Sequence, residues 1–316
     1  MTMRTGFIGS LRVSKVGLGC NNFGARLDKK QTEAVVLTAL EQGITFFDTA
    51  DIYGNKGLSE EYLGAALRGR RDEVVVGTKF GHMMMNDAQS GGSARWIALA
   101  VEDSLRRLET DYIDLYQMHT PDPTVPIEET LEALHRLVEQ GKVREIGCSN
   151  FTGPQIDQAA AVSTRSGIPR FVSAQNHYSL LAREVEREVI PACARNGLSV
   201  MPYCPLASGV LTGKYQRGKE PPKGSRMDWI RNDPATSDRG FMSHRSLDIV
   251  DRLGEYAADH GRTLIELAIS WLAAQPDVST VIPGASSPEQ VVTNSEGAGW
   301  RLTDRQLVEI GIITRG

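Results

Sequence analysis

Eight short apolar runs rich in β-branched residues, at 16–20, 44–48, 74–80, 113–119, 143–148, 171–175, 198–203 and 278–283, punctuate the chain. They are nearly continuous in apolar character instead of alternating, which predicts strands of a parallel sheet covered on both faces. Between them apolar residues return at helical spacing. Trp96, Ala100, Ser104, Leu105 and Leu108 follow Ser93, and Ile127, Leu131, Leu134, Leu137 and Val138 lie between Pro126 and Gly141. Each set predicts a surface helix with one apolar face. Thr152 with Gln155, Thr263 with Glu266, Ser287 with Gln290 and Thr303 with Gln306 have capping-box spacing, each marking a helix start.

A strand-and-helix unit repeated eight times in 316 residues predicts an α/β fold of the (β/α)8 TIM-barrel type. Two doubly wound halves are disfavoured, because no Pro/Ser-rich linker or shift in composition divides the chain, so a single domain spanning 1–316 is expected. Three segments break the regularity: a short N-terminal β-hairpin within 4–14 and long loops at 81–92 and 205–243, after the third and seventh strands. Both loops follow strands and therefore belong to the C-terminal rim, where barrel active sites sit.

The composition, 41% apolar and 23% charged, supports one large core. A net charge of −4, with no basic stripe interleaved with aromatics, lacks the footprint of a nucleic-acid binder, so a small-molecule partner is expected. No apolar stretch reaches membrane length and no leader-like segment opens the chain, from which a cytoplasmic location without a membrane partner is expected. The four cysteines, Cys20, Cys148, Cys193 and Cys204, are scattered and read as reduced thiols. The six histidines show no clustered ligand spacing, so no metal is expected. Gly17-x-Gly19-x-x-Asn22 fails the dinucleotide fingerprint, and Lys214-Tyr215 fails the phosphate loop. The Tyr215-x-x-x-Lys219 spacing of a short-chain dehydrogenase lies in a Gly/Pro-rich loop and reads as coincidence.

Polar residues stand at the ends of consecutive predicted strands: Asp48 after the second with Tyr53 five residues on, Lys79 at the third and His119 at the fourth. Singly, each has a plain structural role: a turn cap, an exposed strand end, a rim aromatic, a satisfied core imidazole. Together they are complementary. A tyrosine titrating near 10 is a poor acid, but a nearby ammonium favours phenolate, and an aspartate keeps that ammonium charged. Tyr53 can then protonate a developing alkoxide while His119 donates a second hydrogen bond to the carbonyl oxygen.

These four residues resemble the catalytic tetrad of the aldo-keto reductases. The resemblance runs nearly end to end, through Gly17-Leu18-Gly19, Asp48-Thr49-Ala50, Tyr53-Gly54, Gly77-Thr78-Lys79, Gln117-Met118-His119, Gly147-Cys148-Ser149-Asn150-Phe151, Gln175-Asn176, Pro205-Leu206-Ala207 and Ile282-Pro283-Gly284. It is nearest the branch of bacterial general-stress reductases and potassium-channel β subunits. The resemblance implies a nicotinamide cofactor whose carboxamide meets Ser149, Asn150 and Gln175 and whose ring stacks on Tyr203. It implies that 284–290, with Gln290 and Asn294, holds the adenosine end at a helix start offering free N–H groups, although capping alone accounts equally for Ser287. The expected cofactor seat also takes in Gly19, Cys20, Asn21, Cys204, Pro205, Leu206, Ser208, Ile282, Gly284 and Ser286. Many NADP-preferring relatives carry a cation in the adenosine segment, and 284–290 has none. Lys214 and Arg226 in the loop after strand seven match the channel-subunit pattern instead, which favours NADP(H), with NAD(H) the alternative.

The reading is therefore NADP(H)-dependent reduction of aldehydes or ketones with Tyr53 as the acid. Two rivals stand beside it: a Schiff-base aldolase through Lys79, and a cofactor-binding regulatory subunit with little turnover. The substrate walls are expected from Asn21, Phe23, Tyr53, Phe80, His82, Met83, Met84 and Trp229, an adaptable Met-rich set that suggests breadth. Helical surfaces of such barrels leave homo-oligomerisation open.

Overall fold

The computed structural model describes residues 3–82, 91–232 and 240–315. A hairpin of β1 (Thr5–Ile8) and β2 (Leu11–Ser14) precedes the barrel. Seven parallel strands follow, each paired with the next: β3 (Leu18–Gly19), β4 (Phe46–Asp48), β5 (Val75–Phe80), β6 (Ile113–Met118), β7 (Val143–Ser149), β8 (Ser173–His177) and β9 (Ser199–Tyr203). The eighth predicted run forms no continuous strand, yet it closes the barrel. Val281 and Gly284 bridge Val16 and Gly19 on one side, while Val278 and Ile282 bridge Val200 and Tyr203 on the other. Pro283 lacks an N–H and contributes only its carbonyl, which accepts from Gly19 at 3.0 Å, so the ladder breaks into isolated bridges.

The outer layer begins with α1 (Lys29–Glu41), α2 (Tyr53–Ala66), α3 (Ala94–Leu108), α4 (Ile127–Glu139), α5 (Gly153–Ser166) and α6 (Val185–Asn196). It continues with α7 (Arg226–Asn232), α8 (His244–Asp259), α9 (Leu264–Ala273), α10 (Pro288–Glu296) and α11 (Asp304–Arg315). The two expected stripes are buried: Trp96, Ala100, Ser104, Leu105 and Leu108 on α3, and Leu131, Leu134 and Leu137 on α4. Each buried leucine contributes roughly 1.5–3 kcal/mol of apolar burial, enough to hold a helix whose own hydrogen bonds are marginal in water. The capping boxes expected at Thr152, Thr263 and Thr303 form with reciprocal bonds. At α10 the box opens: Ser287 caps Gln290, but the Gln290 side chain accepts from the backbone N–H of Ser286.

The hairpin plugs the N-terminal end. Ile8, Leu11 and Val13 pack with Phe46, Leu115, Met201 and Ile282 inside the barrel. The Phe7 carbonyl accepts from the hydroxyls of Ser199 and Ser279. One end of the barrel is thus filled with hydrocarbon, and the polar groups of the interior gather at the other. Among the described residues no helix is long and apolar enough to cross a membrane.

Candidate active site

Strand register sets the site. In a parallel pair, residues side by side point to the same face, and the pairing places Lys79 beside Gln117 and Ser149 beside Gln175. With Asp48 ending β4, these side chains converge at the C-terminal mouth. Lys79 and Asp48 are buried and meet at 2.8 Å. The ammonium also donates to the Thr49 carbonyl at 2.8 Å and lies 5.0 Å from the centre of the Tyr53 ring. A carboxylate and a backbone carbonyl thus receive the ammonium, which makes a fully buried charge tolerable. Asp48 accepts further bonds at its other oxygen from Gln175, at 2.7 Å, and Gln117, at 3.4 Å.

Tyr53 reaches this cluster from the turn after β4. Its N–H bonds the Ala50 carbonyl at 3.1 Å, and the next residues, Gly54, Asn55 and Lys56, are all left-handed. Gly54 has φ +63°, and a β-carbon there would stand 2.3 Å from the Phe23 carbonyl, so only glycine lets the chain leave Tyr53 in this direction. The Tyr53 and His119 rings meet edge to face at 5.8 Å, and the His82 ring lies 5.3 Å from His119.

Burial raises the Tyr53 pKa above its ordinary value, and the opposing pull of Lys79 does not overcome it. The sequence expectation weighted the ammonium and left out desolvation; the net result is a phenol that keeps its proton. Burial lowers the Lys79 pKa, but Asp48 and Tyr53 more than restore it, so the ammonium stays charged. Burial, with the Lys79 and His82 charges, holds His119 well below the usual imidazole range, and it is neutral near pH 7. Its Nδ1 is buried with no hydrogen-bond partner among the described residues.

The expected carboxamide partners are already engaged with the protein. Asn150, at a left-handed φ of +61°, donates to the His119 carbonyl at 2.9 Å and the Ser149 hydroxyl at 3.2 Å, and accepts from the Tyr203 hydroxyl at 2.8 Å. It straps together the ends of three strands. The amide nitrogen of Gln175 serves Asp48. The Tyr203 ring stacks on His177 at 5.5 Å, one face of the ring being taken by that contact. In the segment expected to hold the adenosine, Gln290 bonds Ser286, and the Asn294 amide donates to the Gly284 carbonyl at 3.3 Å. Asn21 is exposed beside Gly284. Cys20, Pro205 and Ile282 are buried in the wall behind the rim, while Gly19, Cys204, Leu206 and Ser208 are half-buried along it.

Lys214 and Arg226 are brought together through Tyr215. Its hydroxyl donates to the Ser208 carbonyl at 3.3 Å and accepts from the Met227 N–H at 3.1 Å, so the two cations flank one knot. Lys214 lies over the Tyr215 ring at 5.3 Å and Arg226 over Trp229 at 4.4 Å.

The structure corrects the substrate wall. Phe80 and Phe23 are fully buried; because Lys79 points inward, Phe80 must point outward, where it packs on Tyr116 at 4.8 Å. Trp229 lies exposed on α7 under Arg226, and Asn21, Tyr53 and His82 of the expected set stand at the mouth. Met83 and Met84 lie outside the described residues. Sequence reasoning missed Gln117, although its two-residue spacing from His119 marks the same strand face. It also missed Asn22, whose amide donates to the Ala285 carbonyl at 2.9 Å and pins the first rim loop to the closing segment. Among the described residues no group of three or more His, Cys, Asp or Glu is placed to hold a metal.

The site can be set beside known proteins. The model of the Aldo/keto reductase family matches residues 15–314. Aldo-keto reductase YhdN of Bacillus subtilis is 37% identical over 96% of this chain and 90% of its own. A probable voltage-gated potassium channel subunit beta of Oryza sativa is 38% identical over 90% of this chain and 87% of its own. Aldo-keto reductase yakc [NADP(+)] of Schizosaccharomyces pombe is 32% identical over 98% and 91%. With this coverage, and with the barrel closed around a buried Lys79 and Asp48, the chain belongs to the aldo/keto reductase family.

Proposed function

We propose that the protein reduces aldehydes or ketones to alcohols with NADP(H), Tyr53 serving as the acid. The observation that carries this reading is the buried ammonium of Lys79, held by Asp48 at 2.8 Å and set 5.0 Å from the centre of the Tyr53 ring, where it favours phenolate as the phenolic proton passes to a substrate oxygen. The nicotinamide, when bound, supplies the two-electron reductant. The rim suits such a group, offering the aromatic ring of Tyr203, the carbonyl oxygen of Gln175, the half-buried Ser208 and the unfilled hydrogen-bonding capacity of His119. Neutral His119 holds the carbonyl oxygen toward Tyr53, and Lys79 stabilises the phenolate left after proton transfer. Asp48 keeps Lys79 charged and in place. Lys214 and Arg226 support the preference for NADP(H), and the yeast relative's name carries that cofactor.

Tyr53→Phe is the test: reduction of a panel of aldehydes and ketones is lost while NADPH still quenches protein fluorescence as in wild type. Wild-type turnover in the variant would end the reading. The similarity to a channel subunit supports a second reading, a cofactor-binding subunit with negligible turnover, which the same titration separates by tight binding without carbonyl reduction. The aldolase reading loses its basis, because a Schiff base needs a neutral amine and Lys79 is held protonated by Asp48.

A further inference from the structure

Behind Lys79, between the barrel and α2 and α3, lies a second buried polar cluster outside the reacting groups. Glu60 of α2 is fully buried and satisfied at both oxygens: the Thr78 hydroxyl donates to one at 2.5 Å and Arg107 of α3 to the other at 2.7 Å. Asp51, two residues before Tyr53, is 1% exposed, and neither of its carboxyl oxygens has a side-chain partner among the described residues. The Tyr116 hydroxyl of β6 is buried and unpartnered in the same interface. The backbone N–H of Asp51 bonds the carbonyl of Lys79 itself, at 3.1 Å. Two buried carboxyls thus share one guanidinium, and that guanidinium is spent on Glu60.

An ionised carboxylate without a partner is among the costliest groups to bury, so one of the two must carry a proton, and the bonding identifies it as Asp51. We propose that Asp51 is a positioning residue for the Tyr53 and Lys79 pair: it stands as a neutral carboxylic acid behind Lys79, and its ionisation, ahead of that of Tyr53, sets the alkaline limit of carbonyl reduction. This rests on the function proposed above. The groups that act on Asp51 are Glu60 on α2, Arg107 on α3 and Lys79 on β5; Tyr116 on β6 and Asp103 on α3 belong to the same electrostatic neighbourhood. Burial and the Glu60 charge outweigh Arg107, the backbone N–H of Ile52 and Lys79, and push the carboxyl up to about 8. Once ionised, Asp51 places a second negative charge near Lys79. That charge offsets the field by which Lys79 favours phenolate, so Tyr53 releases its proton less readily.

The experiment compares wild type, Asp51→Asn and Asp51→Glu. In wild type, kcat for reduction falls at least about tenfold through a transition near pH 8. Asn, isosteric and unable to ionise, loses that transition and keeps its rate to higher pH; Glu restores it. The same transition in Asp51→Asn, or its absence from wild type, overturns the proposal. Thermal unfolding gives a readout independent of turnover. A carboxyl whose pKa is raised on folding costs nothing below its unfolded value and progressively destabilises the native state as pH rises to the folded value. The melting temperature of Asp51→Asn therefore gains several degrees on wild type between pH 4 and about 8 and stays level above it. A gap that does not change with pH refutes the held proton. If the gap appears while no carbonyl is reduced, the reading of function fails and the protonated Asp51 stands.

Discussion

The two faces of β5 carry two buried charge clusters built on opposite terms. On the inner face, Lys79 meets one carboxylate and a backbone carbonyl beside the Tyr53 ring. On the outer face, next along the same strand, Thr78 joins a cluster in which Arg107 serves Glu60 and leaves Asp51 without a cation. The inner cluster is balanced in charge and aims a proton at the solvent mouth. The outer one is short of positive charge and must hold a proton internally. Adjacent residues of one strand thus divide the tasks, because alternation sends neighbouring side chains to different environments.

The largest effect on this comparison should come from the balanced side. Lys79→Met strands Asp48 as a buried unpaired charge; we expect about 3–5 kcal/mol of lost stability together with loss of reduction, read by denaturant unfolding and turnover. Unchanged stability would mean the pair is not buried as described. Tyr53→Phe leaves the ion pair intact and should cut kcat by about 10²–10⁴ with little change in unfolding midpoint. Arg107→Met attacks the outer cluster and should cost about 3–5 kcal/mol by exposing Glu60 to the same fate, read by denaturant unfolding. A loss below about 1 kcal/mol would show that Glu60 does not depend on this cation. Smallest is the phosphate end: Lys214→Ala with Arg226→Ala should weaken NADPH about tenfold more than NADH, about 1.4 kcal/mol, by fluorescence titration. Equal losses for both cofactors would remove the two cations from phosphate recognition.

Much of this arrangement was legible along the chain. The eight runs and the strand-end positions of Asp48, Lys79 and His119 follow from local periodicity, which the barrel preserves. Phe80 was misplaced because reading 74–80 as a run hides its alternation; only the inward Lys79 reveals which way its neighbour turns. The amides of Asn150 and Gln175 read as free binding groups, yet each is engaged with residues from distant strands. Asp51 drew no attention at all, since a carboxylate in a turn is ordinarily solvated.

Periodicity by itself determined the barrel, because each βα unit repeats it, while the family and the four residues expected as its tetrad came from resemblance to known motifs. Tertiary structure alone decided which charges are paired. Whether a carboxyl ionises depends on burial and on cations contributed by other elements, and Arg107 reaches Glu60 across 47 positions of sequence while Asp51, nine positions from Glu60, is left to keep its proton.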